Sequence, residues 1–181
     1  ILSAEYIYSA ESMSTFAGGA LKKRRAELRT FQNMYGDRAS TSLITENDLD
    51  EIIAFEKDWL KKCSEDHDMD ALNKEARMIY KQIDHYDELH LKGITLRIDG
   101  RLCGFCYGPM LNSKYYDVMI EKADRDVPHS YKVIRAESTK LCVPSDGYVN
   151  MEEDVGVPGL RAIKMAYKPG YLLEKYVVSE V

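Results

Sequence analysis

The chemistry this sequence can offer sits in two groups of acids, one cationic pair and one basic run. Glu152, Glu153 and Asp154 follow a short β-prone stretch. Carboxylates crowded together repel, so one of them can keep its proton near neutral pH and act as a general base. The same acids would also complement the N-terminus of the helix that Pro158 introduces. Glu121 and Asp124 close another β-rich stretch, where a strand-end acid can reach a substrate or simply pair with a cation. Arg161 and Lys164 lie three residues apart, on one face of a short helix, and could together meet a phosphate, a carboxylate or a developing oxyanion. Pairing with the neighbouring acids is the alternative. Tyr148 and Asn150, on the strand leading to the acidic run, complete the substrate-binding set, although strand tyrosines such as Tyr6, Tyr8, Tyr115, Tyr116 and Tyr148 are ordinarily half-buried core. The consecutive bases Lys22, Lys23, Arg24 and Arg25, with Arg29, could neutralise RNA phosphates or form a solvated helix face.

Other chemistries find little support. Cys103 and Cys106 have C-x-x-C spacing, but on a strand positions three apart point to opposite faces, and neither a second such pair nor a nearby His is present. The four cysteines read as reduced thiols. His67, His85, His90 and His129 show no ligand spacing, so no metal is expected. A net charge of -5 argues against coating nucleic acid by bulk charge and leaves only local patches. No apolar run approaches the roughly 20 residues of a membrane span, and the start lacks the charged and apolar regions of a signal peptide. A cytoplasmic location is expected. Beginning with Ile1, the chain reads as a fragment or a processed product.

These groups must be positioned by one compact unit, since 181 residues with 45% hydrophobic content supply one core. Residues 5–8 form a β-prone segment, and Leu21, Leu28, Phe31 and Tyr35 recur on one helical face. Residues 42–44 read as a strand. Thr45 and Asp48 then cap a helix carrying Leu49, Ile52, Ile53, Glu56, Trp59, Leu60 and Cys63. The acidic break 66–70 precedes a second helix through Leu72, Ala76, Ile79 and Ile83. After Gly93 the period becomes two, and Asp99-Gly100 predicts a type I′ hairpin turn between strands 94–98 and 101–108. A third strand over 115–121 makes a meander. A helix over 131–142, a strand over 148–151, a Pro158-led helix to Tyr167 and a strand over 172–178 complete the order β-α-α-β-β-β-α-β-α-β from Ser42 onward.

Four motifs carry a resemblance. Glu5-Tyr6-Ile7-Tyr8 followed by Lys22-Lys23-Arg24-Arg25, then Ile120-Glu121-Lys122-Ala123-Asp124, then the run from Tyr148 through Asp154 to Gly156, are similar to bacterial proteins related to the C-terminal domain of the phosphatidylglycerol lysyltransferases. Gly159-Leu160-Arg161-Ala162-Ile163-Lys164, continuing through Tyr167-Lys168-Pro169 to Leu172-Leu173-Glu174-Lys175-Tyr176, resembles the end of that domain. The resemblance implies an α/β (α+β) GNAT-like acyltransferase fold, with a mixed central sheet, an antiparallel meander and flanking helices. Residues 1–181 would be one such domain, 1–40 forming a junction strand and basic helix and 41–181 the core. In the family this domain usually follows another GNAT-like half, which makes such a half an expected partner.

The resemblance further implies transfer of an aminoacyl group from aminoacyl-tRNA to a lipid head group or another amine or hydroxyl acceptor, without metal or redox cofactor. A lipid acceptor would put the domain at the inner face of the membrane. Glu121, Asp124, Glu152, Glu153 and Asp154 are then the catalytic candidates, Arg161, Lys164, Asn150 and Tyr148 the substrate-binding ones, and Lys22, Lys23, Arg24 and Arg25 the tRNA contacts. Coenzyme A is disfavoured as donor. The turn where GNAT enzymes cradle its pyrophosphate reads Asp124-Arg125-Asp126-Val127-Pro128-His129-Ser130-Tyr131 here, with two carboxylates and no glycine. An acyl-CoA-dependent N-acyltransferase and a non-catalytic half-domain needing its partner half are the alternatives.

Overall fold

In the computed structural model, residues 3–63 and 69–178 are described; His67 and most of the acidic break at 66–70 lie outside them. Fourteen helices and strands follow in order: β1 (Ser3–Ser9), α1 (Ala10–Thr15), α2 (Lys22–Tyr35), β2 (Ala39–Leu43), α3 (Leu49–Cys63), α4 (Met69–Asp84), β3 (Leu91–Ile98), β4 (Arg101–Pro109), β5 (Tyr115–Asp117), β6 (Ile120–Ala123), α5 (Ser130–Cys142), β7 (Tyr148–Asn150), α6 (Pro158–Met165) and β8 (Tyr171–Lys175). Short α1 escapes the sequence reading because Ala10, Ser12, Ser14 and Thr15 give no apolar stripe; Ser9 caps it by accepting from the Ser12 amide at 3.2 Å. The box at Thr45 and Asp48 forms as read, with Asp48 Oδ2 accepting from the Thr45 amide (2.9 Å) and hydroxyl (2.8 Å). Asp99 and Gly100 both take positive φ (52° and 80°), as a type I′ turn requires.

The strands form two sheets. One is antiparallel, in the order β2-β3-β4-β6, and the other is mixed, in the order β5-β7-β1-β8, with β5 and β7 parallel. The stretch 115–121, expected as one meander strand, is instead two: β6 pairs with β4, while β5 leaves to pair with β7. The switch falls at Val118, whose amide donates to the Asn150 carbonyl (2.9 Å). Gly108 permits it, because a Cβ there would collide with the Asp117 carbonyl. The first forty residues are built into the same body: β1 lies between β7 and β8, and Phe31 of α2 is buried.

The antiparallel sheet is buried on both faces. One core packs it against α3 and α4 through Ile52, Ile79, Ile83, Phe105 and Tyr107; the other packs it against α1, α2 and α5 through Met13, Phe31, Ile94, Leu96 and Ile134. A register shift opposite Leu96 and Arg97 leaves Cys103 unpaired in the ladder. This bulge corrects the expectation for the cysteine pair. One extra residue reverses the strand's parity, so Cys103 and Cys106 both enter the second core, whereas Leu102, Phe105 and Tyr107 enter the first. All four cysteines are free and buried.

Candidate functional site

β6 ends beside α5, and Glu121 on it turns its carboxylate to Arg135 one helix away. Arg135 Nε lies 2.9 and 3.0 Å from the two carboxylate oxygens and Nη2 lies 2.6 Å from Oε2. The guanidinium also stacks 4.7 Å above the Tyr167 ring, and Arg24 of α2 approaches the same ring at 5.4 Å. These groups border a cleft of about 560 Å³ between α5 and α6, whose apolar wall is Leu160, Ala162, Ile163 and Ala166. Lys132 also lines it, with an ammonium whose pKa burial lowers. An apolar wall beside a cluster of cations suits a ligand with an uncharged body and an anionic end.

Behind the cleft, the loop after β7 is held by α6. Lys164 is nearly buried and its ammonium donates to the Met151 and Glu153 carbonyls at 2.5 and 2.6 Å. Tyr8 donates to the Lys164 carbonyl (2.8 Å), tying α6 to β1. Burial lowers the pKa of Lys164, and its charge is felt by Glu121 and Arg135 on the cleft side and by Glu152 and Asp154 on the loop side. Arg161 Nε bonds Asp154 Oδ2 at 2.7 Å, the Tyr6 hydroxyl donates to the same oxygen, and the Gly156 amide donates to Oδ1 at 2.9 Å. These donors, Arg161 first, hold the Asp154 carboxyl well below the usual range.

Glu152 behaves in the opposite way. Burial, then the nearby Asp117 carboxylate, push it up to about 7, and burial with Glu5 pushes Asp117 up to about 6. One oxygen of Asp117 is buried without a hydrogen-bond partner among the described residues. Asn150 bridges the group: its side-chain amide donates to Glu5 (2.8 Å) and its oxygen accepts from the Glu152 amide (2.8 Å). Glu5 also pairs with Lys175. The carboxylate neighbours of Glu152 are therefore Asp117 and Glu5, brought from β5 and β1, not the adjacent Glu153 and Asp154. Glu5, Asp117, Lys132, Arg135 and Tyr167 were not legible as site residues, because nothing in their spacing links them to the acidic run.

The predicted residues thus divide. Asn150, Glu152, Glu153, Asp154, Arg161 and Lys164 come together around one loop, while Glu121 pairs with Arg135 and acts on Lys164 through its charge alone. Asp124 stands apart, facing α3, where it pairs with Arg101 (2.9 Å) and Lys62 (3.2 Å) beside a separate pocket of about 280 Å³. Lys62 also holds Asp126 at 3.0 Å, so both carboxylates at the head of α5 share that cation. Tyr148 stacks on Tyr115 at 4.9 Å between ring centroids and meets Tyr171 edge-on at 6.3 Å. The basic run splits as well. Lys22 and Lys23 are exposed, whereas Arg24 pairs with Glu27 (2.7 Å) and Arg25 donates to the Phe16 and Gly18 carbonyls. Among the described residues no three His, Cys, Asp or Glu side chains are grouped to hold a metal ion, and no helix is long and apolar enough to cross a membrane.

Comparison with known proteins adds to this geometry. The family described as phosphatidylglycerol lysyltransferase, C-terminal, matches residues 1–179. An uncharacterised protein of Mycoplasmoides gallisepticum is 24% identical over 99% of this chain. The crystal structure of a conserved protein of unknown function from Bacteroides thetaiotaomicron superposes over 95% of the chain with a TM-score of 0.87 and 28% identity. A tandem GNAT protein from the clavulanic acid biosynthesis pathway superposes over 94% with a TM-score of 0.51 and 10% identity, a likeness of fold alone. The chain spans 57% of the length of the first two and 51% of the third.

Proposed function

Because this chain belongs to the phosphatidylglycerol lysyltransferase C-terminal family and has a GNAT-like α+β fold, we propose that it acts in transferring an aminoacyl group from aminoacyl-tRNA to an amine or hydroxyl acceptor, a lipid head group among them. The observation that carries this reading is the position of Lys164, between the cationic α5–α6 cleft and the Glu152–Asp117 carboxylates. Such a transfer needs an anion-stabilising side and a proton-accepting side within one site.

In this reading the aminoacyl body lies in the cleft beside Lys132 and Arg135, and the ester carbonyl extends past that lining towards Lys164, on whose far side Glu152 stands. Glu152, at about 7, takes the proton of the acceptor as the new bond to the carbonyl carbon forms. That proton passes to the ribose oxygen as the ester C–O bond breaks, so the carboxylate is regenerated and no redox partner is needed. Arg161 and Lys164 hold the Met151-to-Asp154 loop that presents Glu152. Catalysis would take place in the cytoplasm, at the membrane face when the acceptor is a lipid.

The test compares the chain with charged tRNA, coenzyme A and vesicles containing phosphatidylglycerol. Stabilisation by charged tRNA, and acceptor-dependent loss of its aminoacyl ester that Glu152→Gln reduces, is the expected result. A thermal response to coenzyme A alone would replace this reading with an acyl-CoA-dependent N-acyltransferase. The length of the relatives favours one further possibility, that the site is completed by a companion half; co-expression of such a half would then be required before any ligand response is seen.

A further inference from the structure

The four consecutive bases on α2 are the obvious polyanion contact in the sequence, yet two of them are engaged internally. A better-aligned set lies on α4. Lys74, Arg77 and Lys81 follow one another at intervals of three and four residues, so they stand in line on a single helical face. All three are exposed, and none has an ion-pair partner among the described residues. His85 continues the line and meets the acid nearest to it, Glu88, at 3.0 Å. Glu75, the acid beside Lys74, is withdrawn to the other side by Lys122.

These cations and His85 edge a groove of about 550 Å³, with Met78, Gln82, Glu88 and Leu89 also in its lining. In a chain of net charge -5, three aligned cations without ion-pair partners among the described residues, flanked by Asp84 and by a Glu88 that His85 engages, mark where negative charge is accepted. The row is linear, running about 10 Å along the helix axis from Lys74 to Lys81 at about 1.5 Å per residue. A polymer with regularly repeated anions matches a row of this kind better than a compact ligand does. A bilayer is the poorer fit, because the apolar Met78 and Leu89 line a hollow.

We propose that the groove along α4 holds the phosphodiester backbone of an RNA, with Lys74, Arg77 and Lys81 contacting successive phosphates. This deepens the aminoacyl-tRNA reading and rests on it, moving the main RNA contact from α2 to α4.

The experiment is fluorescence anisotropy with bulk deacylated tRNA at about 50 and about 200 mM salt, using the parent chain, K74E/R77E/K81E, the milder K74Q/R77Q/K81Q, and K22E/K23E. The substituted side chains are exposed, and a matching melting temperature verifies the fold. Loss of three phosphate contacts should weaken binding at least tenfold and flatten the salt dependence by about two to three contacts' worth of slope, with K22E/K23E close to parent. If both α4 variants bind like the parent, or if K22E/K23E carries the loss instead, the groove assignment is overturned while the RNA donor stands. A parent that binds no tRNA removes the donor reading as well. α4-dependent binding to phosphatidylglycerol vesicles or to polyaspartate that tRNA does not compete away would assign the groove to a membrane or an acidic protein, and so overturn it too.

Discussion

Glu121 and Arg135 face each other across the head of the α5–α6 cleft, joined by three contacts of 2.6 to 3.0 Å with both side chains largely buried. A strand-end acid for which the sequence left both substrate contact and pairing open is therefore half of a fixed ion pair, and the cleft inherits its geometry from that pair. Removing either charge alone should cost about 3–5 kcal/mol, because the other is left buried and uncompensated. In urea denaturation, Glu121→Gln and Arg135→Gln should each be strongly destabilised and their combination much less than the sum. Additive losses would mean the two do not act as a pair.

Glu56 should make the protein less stable as pH rises. It is 1% exposed, has no hydrogen bond at either oxygen among the described residues, and lies 3.8 Å from the Lys122 ammonium. Burial, only partly opposed by Lys122, pushes it up to about 7. With the folded pKa above the unfolded value, the folded state holds the proton longer, so stability is full below about 4.5 and falls as pH rises towards about 7, by up to about 3 kcal/mol. Glu152 and Asp117 add to the same slope. Glu56→Gln should flatten the profile over this window; an unchanged slope would refute the assignment.

Asp154 should have the opposite sign. Its carboxyl is depressed by Arg161, Tyr6 and the Gly156 amide, so its contribution is present above the ordinary Asp range and is lost as pH falls below it. Asp154→Asn should lower the melting temperature at neutral pH and match the parent in strong acid. A constant difference at every pH would point to packing alone.

Gly108→Ala tests the switch between sheets. The added methyl would meet the Asp117 carbonyl, and overpacking of this kind costs about 1–3 kcal/mol. Since relief requires β5 to move, the pH dependence contributed by Asp117 and Glu152 should shrink with it. Destabilisation without any change in that profile would separate the two effects.

The basic run offers a contrast within four residues. Arg25→Ala should destabilise the α1–α2 connection by removing its bonds to the Phe16 and Gly18 carbonyls, while Lys22→Ala and Lys23→Ala should leave the melting temperature unchanged. Equal effects at all three positions would show that Arg25 is no anchor.

Much of the fold was legible because it is set by local rules. The Thr45–Asp48 box, the stripe from Leu49 to Cys63, the alternation around Ile94 and the Asp99-Gly100 turn each act within a few residues, and all four appear where the sequence puts them. The two sheets were harder to read. The run 115–121 has uniform β propensity, and what divides it is the competition between β4 and β7 for partners, together with a close approach at Gly108. Parity failed at Cys103 for a similar reason, since a bulge leaves no mark in residue type.

By itself, then, the sequence determined the elements and their order except for α1 and the division of 115–121, together with the family resemblance and the acids and cations near residues 150–164. Only the tertiary structure decided which charges are neighbours. It set Glu152 against Asp117 and Glu5, joined Glu121 to Arg135, sent Asp124 to the far side of the sheet and lined up Lys74, Arg77 and Lys81 beside an open groove. The physical reason is range: propensity and capping act over a single turn, whereas burial and Coulomb interactions depend on distances through space that only the packed sheets and helices define.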